Sequence, residues 1–240
     1  MMVNLAQPPL SGLRKILKTI PSTFCWPDHF LSMPENFIQN LEHKLRLPLP
    51  GRESQLKMAH ITRRFYVDAP KQARQAAVLA ALFLKNNEWT VVLIERNPND
   101  NDRHGGQISF PGGKYEPADS NMLATALRET EEEVGISRNE VKVLGGLTEL
   151  YIPVSNFQVH PFVGFLEKHP TYVLQEEEVN SVLEVPLSIF QDPSLRQLTD
   201  IRISASLTLK GVPYFDIDGK TLWGATAMII SELVDIITAP

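Results

Sequence analysis

The stretch from Gly112 to Ile136, GGKYEPADSNMLATALRETEEEVGI, constrains this chain more than any other. It sets a tight turn, Phe110-Pro111-Gly112-Gly113, ahead of a run that reads as a helix over residues 120–134. At about 100 degrees per residue, Glu129, Glu132 and Glu133 stand at i, i+3 and i+4 and share one helical face. Leu123, Ala126, Leu127, Thr130 and Val134 form an adjacent face suited to packing on a sheet. Like charges at that spacing cost a bare helix about 0.2 to 0.5 kcal/mol per pair, so the acids need a compensating partner. A divalent cation of the magnesium or manganese type meets that need, because it takes hard oxygen ligands and shares them with water and phosphate. Arg128, four residues before Glu132, is placed to pair with it and leave Glu129 and Glu133 for metal. Gly135 suits the left-handed residue that closes a helix, and Glu131 reads as solvated surface.

Around this helix the chain alternates strands and helices. Ala76–Leu84 and Trp89–Glu95 are aliphatic at strand length and separated by the turn signal Lys85-Asn86-Asn87, which predicts a hairpin. Val141–Tyr151 and Phe157–Leu166 read as further strands. After them come a short helix over Leu187–Gln191, strands over Ile201–Leu209 and Val212–Ile217, and a last helix over Gly224–Ile237. Connections are too short for repeated crossovers, so the fold class expected is α/β (α+β), a mixed sheet flanked by helices rather than a doubly wound parallel one. Residues 1–33 are broken by Pro8, Pro9, Pro21 and Pro27 and read as an N-terminal appendage to a domain over 34–240, whose core begins near residue 72. Phe37, Ile38, Leu41 and Leu45 mark a helix at its start. Pro48–Arg64 reads as a connector packed on the domain.

Bulk properties narrow the function. The net charge is −5 and no dense basic block occurs, so the attraction on which nonspecific nucleic-acid binding depends is missing. Cys25 is the one cysteine, which rules out an internal disulfide and a four-cysteine zinc ribbon and points to the cytoplasm. With no apolar run near the roughly 20 residues that cross a bilayer, the expected partner is a small-molecule substrate, without nucleic acid or membrane, and a homodimer stays open.

The Gly112–Ile136 segment resembles the Nudix box: Gly, five residues, Glu, seven residues, Arg-Glu, an aliphatic, one residue, Glu-Glu, one residue, Gly and an aliphatic. Arg128 to Ile136 match the second half, with Thr130 in the aliphatic place. Counted from Gly113, the acidic position is Asp119, and eight residues separate it from Arg128. That departure resembles the coenzyme A pyrophosphatase branch, as does LIERNPNDNDRHGGQISFPGGK, Leu93–Lys114, just upstream. Where that branch has an arginine four residues before Gly106 this chain has Asp102, with Arg103 next to it, and Ile94 stands in place of a threonine. The resemblance runs from about Phe37 to the C-terminus. It implies an alpha-beta-alpha sandwich with a mixed β-sheet and metal-dependent cleavage of the coenzyme A diphosphate to 4′-phosphopantetheine and adenosine 3′,5′-bisphosphate. It also implies Glu129 and Glu133 as magnesium ligands, with Glu132 joining them or acting on water.

Hydrolysis further needs a general base, for which Glu132 and Glu178 are the candidates; Glu178 lies in the acidic, loop-like run Glu176–Glu178. Arg128 is placed to orient the Glu132 carboxylate. Gly112 and Gly113 can let backbone approach a phosphate, and Lys114, Arg103 and His104 can contact one. Arg63 and Arg64 stand as candidates for the 3′-phosphate, Arg96 reads as a local structural tie, and Trp223 and Phe157 read as core. ADP-ribose or another nucleoside diphosphate derivative is the alternative substrate, and a noncatalytic nucleotide-sensing module is the alternative of a different class.

Overall fold

The computed structural model describes residues 34–63, 68–98, 105–203 and 207–240. The chain divides into two compact units, Met1–Phe37 and Ile38–Pro240. Of the first, the described residues are 34–37, the opening turn of a helix; both sheets and the acids Glu129, Glu132 and Glu133 belong to the second. The helical pattern at Leu13–Ile20, Cys25 and the appendage itself lie outside the described residues.

Helix α1 (Pro34–Lys44) begins on a proline, whose fixed φ suits a first helical turn. Its Ile38 and Leu41, and Leu45 just beyond, are buried as their spacing requires. The connector after it contains a short helix, α2 (Gly51–Leu56). Strands β1 (Arg74–Lys85) and β2 (Glu88–Arg96) form the predicted hairpin. Asn86 and Asn87 turn it with φ of 50° and 64°, the left-handed pair that a two-residue hairpin demands and that asparagine tolerates. Two short strands, β3 (Ile108–Ser109) and β4 (Gly112–Lys114), lead to α3 (Met122–Val134). Asn121 caps that helix by accepting from the Ala124 N–H at 2.9 Å.

The single strand expected over Val141–Tyr151 is instead two, β5 (Val141–Gly146) and β6 (Leu150–Ile152). The interruption has a cause: the Thr148 N–H donates to Glu232 at 3.2 Å and its carbonyl accepts from Gln55 at 2.9 Å, so this backbone leaves the ladder. Strand β7 (Phe157–Leu166) forms as predicted. Strand β8 (Val179–Pro186), directly after the acidic run Glu176–Glu178, is an element that the sequence reading leaves unassigned. Helix α4 (Leu187–Gln191) precedes β9 (Arg196–Arg202), β10 (Thr208–Ile217) and β11 (Lys220–Trp223). The strand expected over Ile201–Leu209 is thus the junction of two antiparallel strands rather than one element. Helix α5 (Gly224–Thr238) closes the chain.

The main sheet runs β3-β2-β1-β7-β5, with β8 on β2, β4 on β1 and β6 on β7; β9, β10 and β11 form a second, antiparallel sheet. Only β1 and β7 pair in parallel among the described strands, so the sheet is mixed, as expected. Alternation divides its faces. Ala77, Leu79, Ala81 and Phe83 of β1 and Val92 and Ile94 of β2 pack against Ala126 and Val134 of α3. Leu82, Val91 and Leu93 point the other way and are also fully buried. Both faces are therefore covered, giving an α/β sandwich. No helix among the described residues is long and apolar enough to cross a membrane.

Candidate active site

Gly112 and Gly113 are strand residues, not the turn the sequence suggested: they pair with Val78 and Ala77 of β1. Glycine is required at 112 by the backbone, and at 113 by the present position of the Glu129 carboxylate. A Cβ on Gly112, whose φ is 149°, would lie 2.3 Å from the Ala77 carbonyl oxygen, and one on Gly113 would lie 2.5 Å from the Glu129 carboxyl carbon. The missing side chain at Gly113 lets α3 lay Glu129 directly on the strand. The Gly112 N–H, expected to approach phosphate, instead donates to Glu133 Oε2 at 2.8 Å.

Glu133 is 1% exposed. Its Oε1 accepts from Arg96 Nη1 at 3.3 Å. Burial pushes the Glu133 carboxyl up to about 7, against the opposing pull of Gly112 and Arg96, and the nearby Glu129 and Glu178 carboxylates push it further up. Glu129 is also raised, first by burial and then by Glu132 and Glu178, with Arg128 opposing. Acids from two separate segments therefore share one electrostatic neighbourhood. Glu178 reaches it from an exposed turn ahead of β8, where its carbonyl accepts from the Asn97 N–H at 2.8 Å just beyond β2. The Gln175 N–H binds the Glu133 carbonyl at 3.1 Å, tying the same segment to the end of α3. There Gly135, with φ of 76°, closes the helix as expected.

Arg128 contacts Glu132 at 3.0 Å, as its spacing predicts. Its main partner is Asp119, however: Nε meets Oδ1 at 2.8 Å and Nη2 meets Oδ2 at 3.0 Å, a two-pronged pair. Arg128 Nη2 also donates to the Lys114 carbonyl at 3.1 Å, and Nη1 lies 3.0 Å from Glu129 Oε1, so Glu129 is not left clear of it. Asp119 accepts as well from Thr125 Oγ1 and the Glu116 N–H. The Arg128 guanidinium holds the Asp119 carboxyl far below the ordinary carboxylate range.

Glu129, Glu132 and Glu133 of α3 do not converge as a set. Glu129 and Glu133 turn toward the strand, while the Glu132 side chain is 53% exposed and held by Arg128. Among the described residues no group of three His, Cys, Asp or Glu side chains is disposed to hold a metal ion. The Lys114 side chain is exposed, and Arg103, His104 and Arg64 lie outside the described residues. Arg63 donates to Met228 Sδ at 3.3 Å. Phe157, expected in the core, is half-buried with the Arg74 guanidinium 4.0 Å from its ring centre, and Trp223 is half-buried too. Arg96, read from the sequence as a local structural tie, holds Glu133, a partner the sequence reading did not name. Counting alternate positions from Val92 and Ile94 puts it on the α3 face, which was the available signal.

The NUDIX domain model matches residues 73–198. A Nudix hydrolase of Yersinia enterocolitica, NudL, is 36% identical over 161 residues, 67% of this chain and 80% of the relative. NudL of Yersinia pestis is 31% identical over 197 residues, 82% of this chain and 93% of the relative. A Caenorhabditis elegans Ap4A hydrolase structure aligns with TM-score 0.41 and 17% identity over 48% of this chain and 81% of that chain. With its box residues gathered on β4 and α3 and its family match spanning the sheet that carries them, the chain belongs to the Nudix family of hydrolases.

Proposed function

We propose that the chain hydrolyses the diphosphate linkage of coenzyme A or its derivatives, giving 4′-phosphopantetheine and adenosine 3′,5′-bisphosphate. One observation carries the hydrolytic reading: buried Glu133 and half-buried Glu129 both lie from α3 against β4, Glu129 raises Glu133, and Glu178 raises both. Carboxylates in that state call for a cation. Magnesium and manganese keep several waters and bind through one or two carboxylates plus substrate phosphate, so the pair Glu129 and Glu133 fits such an ion without a third protein ligand. When bound, the ion supplies charge neutralisation on phosphate and a more acidic water.

The chain's own residues do the rest. Arg96 and the Gly112 N–H fix the Glu133 carboxylate from two directions, and Gly113 makes room for Glu129. Arg128 braces β4 against α3. Lys114, with Arg103, is assigned to the outer phosphate oxygens. For the general base we favour Glu178 over Glu132, because Glu132 is engaged by Arg128 whereas Glu178, from a separate segment, is near enough to raise both Glu129 and Glu133. The choice of coenzyme A rests on the motif Leu93–Lys114, and the lone cysteine fits a cytoplasmic setting.

Incubation with coenzyme A and magnesium, with identification of the products, tests reaction and substrate together. Faster turnover of ADP-ribose at equal enzyme would reject the coenzyme A assignment, and no turnover of either would reject both. Glu178→Gln is expected to lower kcat about 100-fold or more while Glu132→Gln costs far less. The reverse order would transfer the base to Glu132.

A further inference from the structure

Glu95 and Arg96 are neighbours on β2, so their side chains leave opposite faces of the strand. Arg96 goes to Glu133. Glu95 goes the other way and accepts from Lys220 Nζ with both oxygens at 3.0 Å, from Ser181 Oγ at 3.0 Å and from Asn180 Nδ2 at 3.1 Å. Beside this pair lies an open hollow of about 250 Å³, walled by Glu95, Gly106, Gln107, Ile108, Lys220 and Trp223. Its wall is bonded to Arg96 itself. The Gly106 N–H donates to the Arg96 carbonyl at 2.9 Å and the Arg96 N–H donates to the Gln107 carbonyl at 3.0 Å. The hollow and the acidic groove are thus separated by the thickness of one strand.

The chemistry of the walls selects a ligand. A pocket for a whole drug-sized molecule measures roughly 300 to 1,000 Å³, so this one suits a single ring system at one end of a longer molecule. Lys220 is neutralised by Glu95, which removes the attraction for a phosphate. Trp223 supplies a flat apolar wall. Among the described residues Glu95 Oε2 accepts from Lys220, Ser181 and Asn180, whereas Oε1 accepts from Lys220, which leaves Oε1 a lone pair and the ammonium an N–H within that set. An acceptor beside a donor matches an amino group next to a ring nitrogen, the pattern adenine presents at N6 and N7. We propose that this hollow binds the base of the substrate's nucleotide half, an aminopurine stacked on Trp223 and read by Glu95 and Lys220. The diphosphate would then lie toward the acids on the other side of β2, an arrangement that rests on the hydrolytic reading of those acids.

Adenosine monophosphate binding, measured by calorimetry in EDTA so that no turnover occurs, tests the hollow apart from the reaction. Trp223→Leu is expected to weaken binding about 10-fold or more, with Trp223→Phe close to the parent. Lys220→Met on the exposed hairpin is expected to weaken it too, and inosine monophosphate to bind the parent about 10-fold more weakly than its amino counterpart. Thermal melts establish that each variant is folded. Unchanged affinity in folded Trp223→Leu and Lys220→Met, or equal binding of the two nucleotides, would overturn the assignment. If coenzyme A is not hydrolysed and these losses still occur, the substrate reading falls and the hollow stands. If hydrolysis holds and the losses are absent, the hollow falls alone.

Discussion

Glu133 concentrates the tension of the site in one side chain. A carboxylate 1% exposed, with one backbone N–H and one arginine for partners, has lost most of its hydration, and its folded-state pKa rises from 4.5 to about 7. Folding of the metal-free protein therefore takes up a proton between those values. The stabilisation is fully present below pH 4.5 and is lost as pH rises through about 7, amounting to roughly 3 kcal/mol from this one group. Denaturant unfolding in EDTA from about pH 5 to 8 should show that decline, and Glu133→Gln should flatten it while abolishing hydrolysis with folding retained. A decline unchanged in the variant would remove Glu133 as its source. Arg96 opposes the same rise, and its place was readable from the alternation of β2. The strand conformation of Gly112 and Gly113 was not, because glycine carries no β signal and these two are glycine for the sake of what lies against them.

At the scale of elements, α3 and the β1–β2 hairpin were legible because helical spacing, the Asn-Asn turn and aliphatic alternation agreed there. Strand β8 was hidden: it is partly covered along most of its length and lacks a clean two-residue alternation. Strand β9 is mostly exposed, with Arg196, Gln197, Asp200 and Arg202 along it, so no apolar pattern announces it. The spacing of Arg128 to Glu132 was read correctly, yet spacing along a helix could not reveal that Asp119, from the preceding connection, takes the larger share of the guanidinium. That pair joins β4, the connection and α3. Its side chains are 15% and 4% exposed; removal of the acid leaves Arg128 with Glu129, Glu132 and the Lys114 carbonyl but frees Thr125 and the Glu116 N–H. Asp119→Ala should cost about 1 to 3 kcal/mol of unfolding free energy. A loss below about 1 kcal/mol in urea titration would show the pair to be a surface contact in energetic terms.

For the whole second unit, the family match over 73–198 leaves out α2 and α5, yet α5 is buried along most of its length and apolar nearly all round. A helix of that kind cannot stand in water, and the sheet face it helps close cannot either. What locks it is polar. Glu232, fully buried, accepts from Gln55 Nε2 at 2.9 Å and from the Thr148 N–H at 3.2 Å, binding the connector before the matched region to the loop that splits β5 from β6. Glu232→Ala leaves buried donors without an acceptor, at about 1 to 3 kcal/mol for each, and opens a void beside them. The expected result is a melting temperature lowered by several degrees with kcat unchanged well below the transition, because none of these groups touches the acidic groove. A variant that melts normally but turns over slowly would mean that α5 acts on the chemistry directly, through the hollow its first turn borders, rather than by holding the sandwich closed.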